Sequence, residues 1–211
     1  MSLQLGQTAP DFTAESTEGP IRFHDYIGSN WVLLFSHPAD FTPICTTELG
    51  AFARRKEEFT RRHTKLIGVS VDPLESHQRW AKDIGDVGGT ALNYPLLADP
   101  ERKVANLYGM IHPEADPKAT VRTVFLIDPH KKVRLTLTYP SNAGRSVDEI
   151  LRVIDAIQLT EGHKIATPVE WHPGDDVVIA PSVSDADAKA LYPNGWKTLK
   201  PYLRTVPAPK A

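Results

Sequence analysis

The chain contains a single cysteine, Cys45, among its 211 residues. A disulfide within the chain is therefore excluded, and the paired thiols that zinc and iron–sulfur sites usually require are missing, so no metal site is expected. From composition alone, Cys45 is either a reactive group that acts without a second thiol or a small buried apolar side chain, as lone cysteines often are.

The sequence also lacks a long apolar run and an excess of charge of either sign. No stretch approaches the roughly 18 apolar residues of a membrane span, and the N-terminus, MSLQLGQTAPDF, has no basic start followed by an apolar segment. We therefore expect neither a membrane partner nor a secretion signal, and a cytoplasmic location is the default prediction. Because 24 Lys and Arg residues accompany 26 Asp and Glu residues, for a net charge of -2, nucleic acid is not an expected partner.

What the sequence does contain is an alternation of short β-rich runs with amphipathic stretches, which is typical of an α/β domain. The predicted strands are 31–36, 65–71, 123–127 and 133–139. The last two are expected to form a hairpin, which makes the sheet mixed. The predicted helices, which would flank the sheet, are 43–62, 74–84, 101–107 and 147–159.

The composition changes after Thr160 to scattered Pro, Gly and Asp, with a short strand predicted at 177–179 and a short helix at 184–191. We therefore predict a main domain at 1–160 and an extension at 161–211. An extension with so little apolar content gains stability by packing on another surface, so a position at the subunit interface is expected.

The segment richest in chemical groups is 36–50, SHPADFTPICTTELG, between an apolar strand and a helical pattern. Thr42 is a good N-cap and Pro43 suits the first helical position, so Cys45 is the third helical residue. The helix dipole and the first-turn amides stabilise negative charge there, and thiolate is the nucleophilic form of cysteine. Disulfide oxidoreductases need Cys-X-X-Cys, but the residue three positions before Cys45 is Thr42, which excludes a dithiol mechanism. The Thr42 hydroxyl can still hydrogen-bond a peroxide oxygen.

The stretch HPADFTPICTTELG resembles the active-site segment of peroxiredoxins, whose pattern Pro-X-X-X-Thr-X-X-Cys is matched by Pro38, Thr42 and Cys45. Other similar stretches, such as KLIGVSVD, RTVFLIDPHKKVRLTLTYP and TPVEWHPGDDVVI, extend through nearly the whole chain. The resemblance is closest to the one-Cys peroxiredoxins of the Prx6 type in the AhpC/TSA family. It implies a thioredoxin-like fold, a central mixed sheet flanked by helices with a small C-terminal extension domain, and a homodimer or higher oligomer.

The resemblance also implies the residues of the site and their reaction. The implied catalytic residues are Cys45, Thr42 and Arg122, the implied substrate-binding residues are these three with Pro38, and the residues implied around them are His37, Glu48 and Arg145. The Cys45 thiolate would attack hydrogen peroxide or an organic hydroperoxide and become a sulfenic acid, without a metal or an organic cofactor. Because the chain has no second cysteine, an external reductant would restore the thiol, with glutathione, a thioredoxin-like protein and ascorbate as candidates.

Three other functions compete with the peroxidase. Phospholipase activity, which some family members carry, is not expected because Asn30 stands where the Gly-X-Ser-X-Gly pattern needs its serine. Cysteine hydrolase chemistry needs a histidine base, which eight histidines permit, but no hydrolase motif surrounds Cys45. A redox-switched oligomeric chaperone or binding protein stays open as the alternative, since nothing in the sequence separates that role from catalysis.

Overall fold

The computed structural model describes residues 3–209 and divides the chain into two compact units at Val147 and Asp148. The last long helix therefore groups with the C-terminal unit, because its Ala156 and Leu159 pack in the apolar cluster of that unit. The domains predicted from composition, 1–160 and 161–211, instead divide the chain at the end of this helix. Their extent stays a prediction.

Within the described residues, the first unit is built on a seven-stranded mixed sheet. Its strands are β1 (Thr13–Ser16), β2 (Ile21–Arg22), β3 (Trp31–Ser36), β4 (Thr64–Ser70), β5 (Leu96–Ala98), β6 (Arg122–Ile127) and β7 (Val133–Tyr139), in the order β2-β1-β5-β4-β3-β6-β7. Strand β3 is parallel to β4 and antiparallel to β6, which is antiparallel to β7. The predicted mixed sheet is thus confirmed, and its fully buried strands, β3 and β6, are neighbours.

The described helices of this unit are α1 (Phe23–Ile27), α2 (Pro43–Arg54), α3 (Lys56–Arg61), α4 (Leu74–Gly88) and α5 (Lys103–Leu107). The single helix predicted at 43–62 is two helices, because the backbone of Arg55 leaves the helical conformation at φ -102° and ψ 12°. Helices α2 and α4 approach so closely that a Cβ atom on Gly50 would lie 2.8 Å from the Cα atom of Gly88. Glycine at this crossing lets α4 support the helix that carries Cys45.

The alternation of side chains along β3 fixes which elements cover each face of the sheet. Val32 and Leu34 lie in an apolar cluster with Ile67 and Phe125. On the opposite face, Phe35 stacks on Phe52 of α2 with ring centroids 4.5 Å apart. Full burial of one such side chain contributes about 1.5–3 kcal/mol, so these contacts hold α2 firmly against the sheet.

The second unit contains two described helices and a small antiparallel sheet. These elements are α6 (Val147–Glu161), α7 (Asp185–Leu191), β8 (Ile165–Ala166), β9 (Val177–Ile179), β10 (Lys197–Lys200) and β11 (Leu203–Val206), with the strand order β10-β11-β9-β8. Trp171, Val177 and Val206 contribute to its apolar cluster. No helix in the described part of the chain is long and apolar enough to cross a membrane.

Candidate active site

Cys45 is the third residue of α2 and is fully buried. The helix begins where the sequence predicts, with Thr42 as the extended N-cap residue and Pro43 in the first turn. The Thr42 hydroxyl accepts no hydrogen bond from the helix, however, and donates instead to the carbonyl oxygen of Ala39 at 2.9 Å. The amides of the first turn have no side-chain cap, so they and the helix dipole favour negative charge beside Cys45.

Arg122, the first residue of β6, directs one guanidinium nitrogen at the sulfur. Its Nη1 atom lies 3.4 Å from Sγ of Cys45 and 2.6 Å from Oε2 of Glu48. Its Nε and Nη2 atoms both donate to the carbonyl oxygen of Ser141, at 3.0 and 2.8 Å. Because that carbonyl engages the other side of the planar guanidinium, Nη1 is held at the sulfur.

Arg145, in the segment between β7 and α6, holds Glu48 from a second direction. Its backbone N–H and Nε donate to Oε1 of Glu48 at 2.7 and 3.0 Å, and its Nη2 donates to Oε2 at 2.8 Å. The remaining nitrogen, Nη1, donates to the carbonyl oxygens of Ser36 and Thr123. The guanidinium also lies over the ring of Phe35, 5.2 Å from its centroid. Arg145 therefore fixes the carboxylate that Arg122 contacts.

The charges of this cluster do not cancel among its described side chains. Burial raises the pKa of Glu48, but the hydrogen bonds and charge of Arg145, together with the charge of Arg122, outweigh burial and lower that pKa below its ordinary value. Glu48 is thus ionised, and two buried guanidiniums face one carboxylate. Because an uncompensated buried charge is costly, the excess positive charge favours an anion at Cys45.

His37 lies in a different buried cluster. Its Nε2 atom is 2.9 Å from Oδ1 of Asp40, whose Oδ2 atom is 2.7 Å from Nδ1 of His77 on α4. Burial raises the pKa of Asp40, but the hydrogen bonds from both histidines bring it well below the usual range. Burial lowers the pKa of His37, against the opposing effect of Asp40. The polar atoms of these three residues lie within 4.8 Å of one another, a distance that fits a shared ion, but hydrogen bonds already join them.

The structure brings together four of the seven residues predicted for the site. These are Cys45, Glu48, Arg122 and Arg145. Thr42 lies at the start of the same helix, and Pro38 is half-buried in the loop before it. His37 shares no hydrogen bond with the four in the described part of the chain. The roles predicted for all seven stay predictions.

Three residues that shape these clusters were not predicted from the sequence. Ser141 acts through its carbonyl oxygen, which no pattern of side chains reveals. Asp40 lies inside the quoted motif and could have been singled out as a carboxylate in an apolar, proline-bounded loop. His77 belongs to no motif, and only the fold brings it to Asp40.

A groove of about 530 Å³ borders the start of α2. Phe41, Thr42 and Trp80 are among its lining residues, whereas Cys45 is not. Since the sulfur is fully buried, a substrate reaches it only after a local movement of the surrounding side chains.

Comparison with family models and known proteins identifies relatives of the whole chain. A model described as the AhpC/TSA family matches residues 5–136, and one described as the C-terminal domain of 1-Cys peroxiredoxin matches residues 156–195. A Dictyostelium discoideum protein named 1-Cys peroxiredoxin is 49% identical over 207 residues, covering 98% of this chain and 86% of the relative. These matches do not favour the alternative of a chaperone or binding protein.

Two further matches come from yeast. Peroxiredoxin PRX1, mitochondrial, of Saccharomyces cerevisiae is 49% identical over 209 residues, covering 96% of this chain and 80% of the relative. The structure of a yeast mitochondrial 1-Cys peroxiredoxin, described for its thiol resolving mechanism via glutathione/thioredoxin systems, aligns with a TM-score of 0.92 and 48% identity over 97% of this chain and 99% of its own. The prediction of a cytoplasmic location is wrong, because so similar a protein is mitochondrial. The lack of a secretion signal and of a long apolar run does not distinguish the cytoplasm from the mitochondrion.

Proposed function

Because the chain belongs to the AhpC/TSA family and is a one-Cys peroxiredoxin, a thiol-dependent peroxidase, we propose that Cys45 is its peroxidatic residue and that Arg122 and Thr42 assist it. The observation that carries this proposal is the 3.4 Å distance between Nη1 of Arg122 and Sγ of Cys45, inside a buried cluster with excess positive charge. A thiolate balances that charge, and the thiolate is the form that attacks peroxides.

The proposed reaction begins when the Cys45 thiolate attacks the terminal oxygen of a hydroperoxide, either hydrogen peroxide or an organic one. The S–O bond forms as the O–O bond breaks, and the electron pair leaves on the second oxygen. That oxygen takes up a proton to give an alcohol, or water from hydrogen peroxide, and Cys45 becomes a sulfenic acid.

The side chains proposed to assist this step act on the two peroxide oxygens. Arg122 stabilises the charge that develops on the leaving oxygen, since its Nη1 already points at the sulfur. The Thr42 hydroxyl donates to Ala39 and keeps its lone pairs, so it accepts a hydrogen bond from the peroxide O–H. Pro38 shields the peroxide from bulk water from its place in the loop before α2.

An external reductant completes the proposed cycle, because Cys45 is the one cysteine of the chain. A thiol attacks the sulfenic sulfur, water leaves, and a mixed disulfide forms that a second thiol reduces. The description of the yeast structure, which concerns glutathione/thioredoxin systems, supports glutathione or a thioredoxin-like protein ahead of ascorbate. Slow reduction would expose Cys45 to further oxidation to the irreversible sulfinic form.

A homodimer or larger oligomer is also part of the proposal. Strand β7 is the last strand of the described sheet, and its outer edge pairs with Gly6 and Gln7 only at Val133, so the rest of that edge is the surface on which a second copy is proposed to pair. Light scattering at micromolar concentration tests this point: a monomer would contradict it.

The peroxidase itself is tested by mixing the reduced protein with a slight excess of hydrogen peroxide in a stopped-flow instrument. Tryptophan fluorescence follows the reaction, and trapping with mass spectrometry counts the sulfenic acid. We expect stoichiometric oxidation of Cys45 about 10⁵-fold faster than that of a free thiol, equivalent to about 7 kcal/mol of transition-state stabilisation. Oxidation at the rate of a free thiol would make Cys45 a structural residue and overturn the proposal.

A further inference from the structure

Each ring nitrogen of His77 faces a hydrogen-bond acceptor. Nδ1 lies 2.7 Å from Oδ2 of Asp40, and Nε2 lies 3.1 Å from the carbonyl oxygen of Leu97. A carbonyl oxygen and an ionised carboxylate both accept hydrogen bonds and cannot donate them. A proton on each nitrogen satisfies both contacts, so the geometry points to an imidazolium cation at His77, whose side chain is fully buried.

Asp40 is the counter-ion of this buried cation and also fixes the state of His37. One carboxylate oxygen accepts from His77, and the other accepts from Nε2 of His37. The proton of the neutral His37 ring is thus on Nε2, and Nδ1 is left with a lone pair. That Nδ1 atom is buried and has no hydrogen-bond partner among residues 3–209.

The residue after Asp40 has a strained backbone. Phe41 has φ 53°, in the left-handed region that is unfavourable for a residue other than glycine. Such a conformation persists only where its surroundings hold it in place. Asp40 supplies that support, because its carboxylate is gripped by two histidines and its backbone N–H donates to Asp72 at 3.1 Å. Thr42, the N-cap of α2, comes directly after the strained residue.

We propose that His77 is a positioning residue of the peroxidase site. As a buried imidazolium it holds Asp40, and through Asp40 it holds the turn 40–42 that places the Thr42 hydroxyl at the start of α2. The effect on catalysis rests on the proposed function. The charge of His77 is independent of the proposed function, so the charge and the effect on catalysis can be tested separately.

The first test is nitrogen-15 NMR of the reduced wild-type protein labelled at histidine, recorded at neutral pH. The expected spectrum shows both ring nitrogens of His77 protonated and His37 protonated at Nε2 alone, with His77→Asn and His37→Gln spectra used for assignment. A neutral His77 ring would overturn the proposal. If a variant fails to fold, through-bond correlation from the backbone to each ring assigns the signals in the wild-type protein, so the test still decides the matter.

The second test compares two reactions of Cys45 in the His77→Asn variant. Asparagine retains an N–H donor near the position of Nδ1 but carries no charge. We expect oxidation by hydrogen peroxide to slow about tenfold, whereas alkylation by iodoacetamide, which needs the thiolate but no positioned peroxide, keeps its rate. An unchanged peroxide rate, or an equal slowing of both reactions, would overturn the positioning role.

The matched control is His24→Gln, in which the new amide can still donate to the carbonyl oxygen of Ala9, the contact of His24 Nε2 in the structure. Both rates are expected to stay at the wild-type value in this variant. If wild-type Cys45 itself reacts no faster than a free thiol, the proposed function fails. In that case the NMR spectrum still tests the charge of His77: an imidazolium would support the buried cation, and a neutral ring would overturn it.

Discussion

Two buried clusters of charged side chains in the first unit balance their charges in different ways. Around Cys45, Arg122 and Arg145 face a single carboxylate, so positive charge is left over beside the sulfur. In the second cluster, Asp40 balances one histidine cation and the other histidine is neutral. The excess positive charge of the Cys45 cluster favours an anion at the sulfur, whereas the charges of the Asp40 cluster already balance. We infer that the first drives chemistry and the second fixes geometry.

The largest expected effect is that of Cys45→Ser, which removes the anion that the first cluster stabilises. Peroxide consumption supported by a dithiol reductant should fall to the uncatalysed rate, because a serine hydroxyl does not ionise near neutral pH. The melting temperature should fall, because serine keeps the shape of the side chain but leaves the excess positive charge of the cluster without an anion. Residual turnover in a folded variant would place the chemistry at another group.

Arg122→Ala removes the cation that contacts the sulfur. We expect the rate of Cys45 oxidation in stopped flow to fall about 10²–10³-fold, the typical loss when one preorganised donor is removed. Arg134→Ala is the control, because Arg134 also pairs with a carboxylate, that of Asp128, on the same sheet. A loss of rate no larger than that of the control would show that Arg122 does not assist the reaction.

Glu48→Gln unbalances the first cluster further, because both guanidiniums lose their carboxylate. We expect the free energy of unfolding at neutral pH, measured with urea, to fall by about 3–5 kcal/mol. Glu58→Gln, which breaks a half-exposed ion pair with Arg55, should cost no more than about 1 kcal/mol. Equal losses in the two variants would contradict the tight buried pairing of Glu48.

The same variant has a pH signature. The folded-state pKa of Glu48 lies below its unfolded value, so its contribution to stability is complete above the ordinary glutamate range and is lost as the pH falls through the folded value. The wild-type protein should therefore lose stability on acidification more steeply than Glu48→Gln in that range. Parallel curves would show that Glu48 is not held ionised by the arginines.

Thr42→Val gives the smallest expected effect. Thr42 lies between the two clusters in the chain, at the end of the turn that Asp40 holds and before Cys45. Valine preserves the shape but loses the hydroxyl that is proposed to accept a hydrogen bond from the peroxide, so we expect about a tenfold slower reaction with peroxide and an unchanged reaction with iodoacetamide. Thr42→Ser keeps the hydroxyl and should react at nearly the wild-type rate. Similar losses in the valine and serine variants would exclude a role for the hydroxyl.

The sequence predicted the parts of the fold that are most apolar or most periodic. Two runs became strands with the predicted bounds: the apolar, buried run 31–36 in the centre of the sheet, and the run 133–139 at its edge, where polar and apolar residues alternate. The short strands β1 and β10, with the sequences TAES and KTLK, were not predicted because they lack an apolar pattern. The break at Arg55 has no Gly or Pro to mark it, so the sequence indicated one helix.

The site residues that lie close to Cys45 along the chain were the most predictable. The position of Cys45 in the first turn follows from Thr42 and Pro43 alone. Arg122 lies 77 residues away along the chain, so only the resemblance to a family connected it to the sulfur. The excess of positive charge required the structure, because it depends on which carboxylate each arginine reaches.

The central claim, that the arginine cluster holds Cys45 as a thiolate, is tested most directly by the ultraviolet absorbance of the thiolate in the reduced protein at neutral pH. We predict a thiolate band in the wild-type protein that is absent in Cys45→Ser and much weaker in Arg122→Ala. A wild-type spectrum identical to that of Cys45→Ser would contradict the claim, because the sulfur would then be a neutral thiol beside the guanidinium.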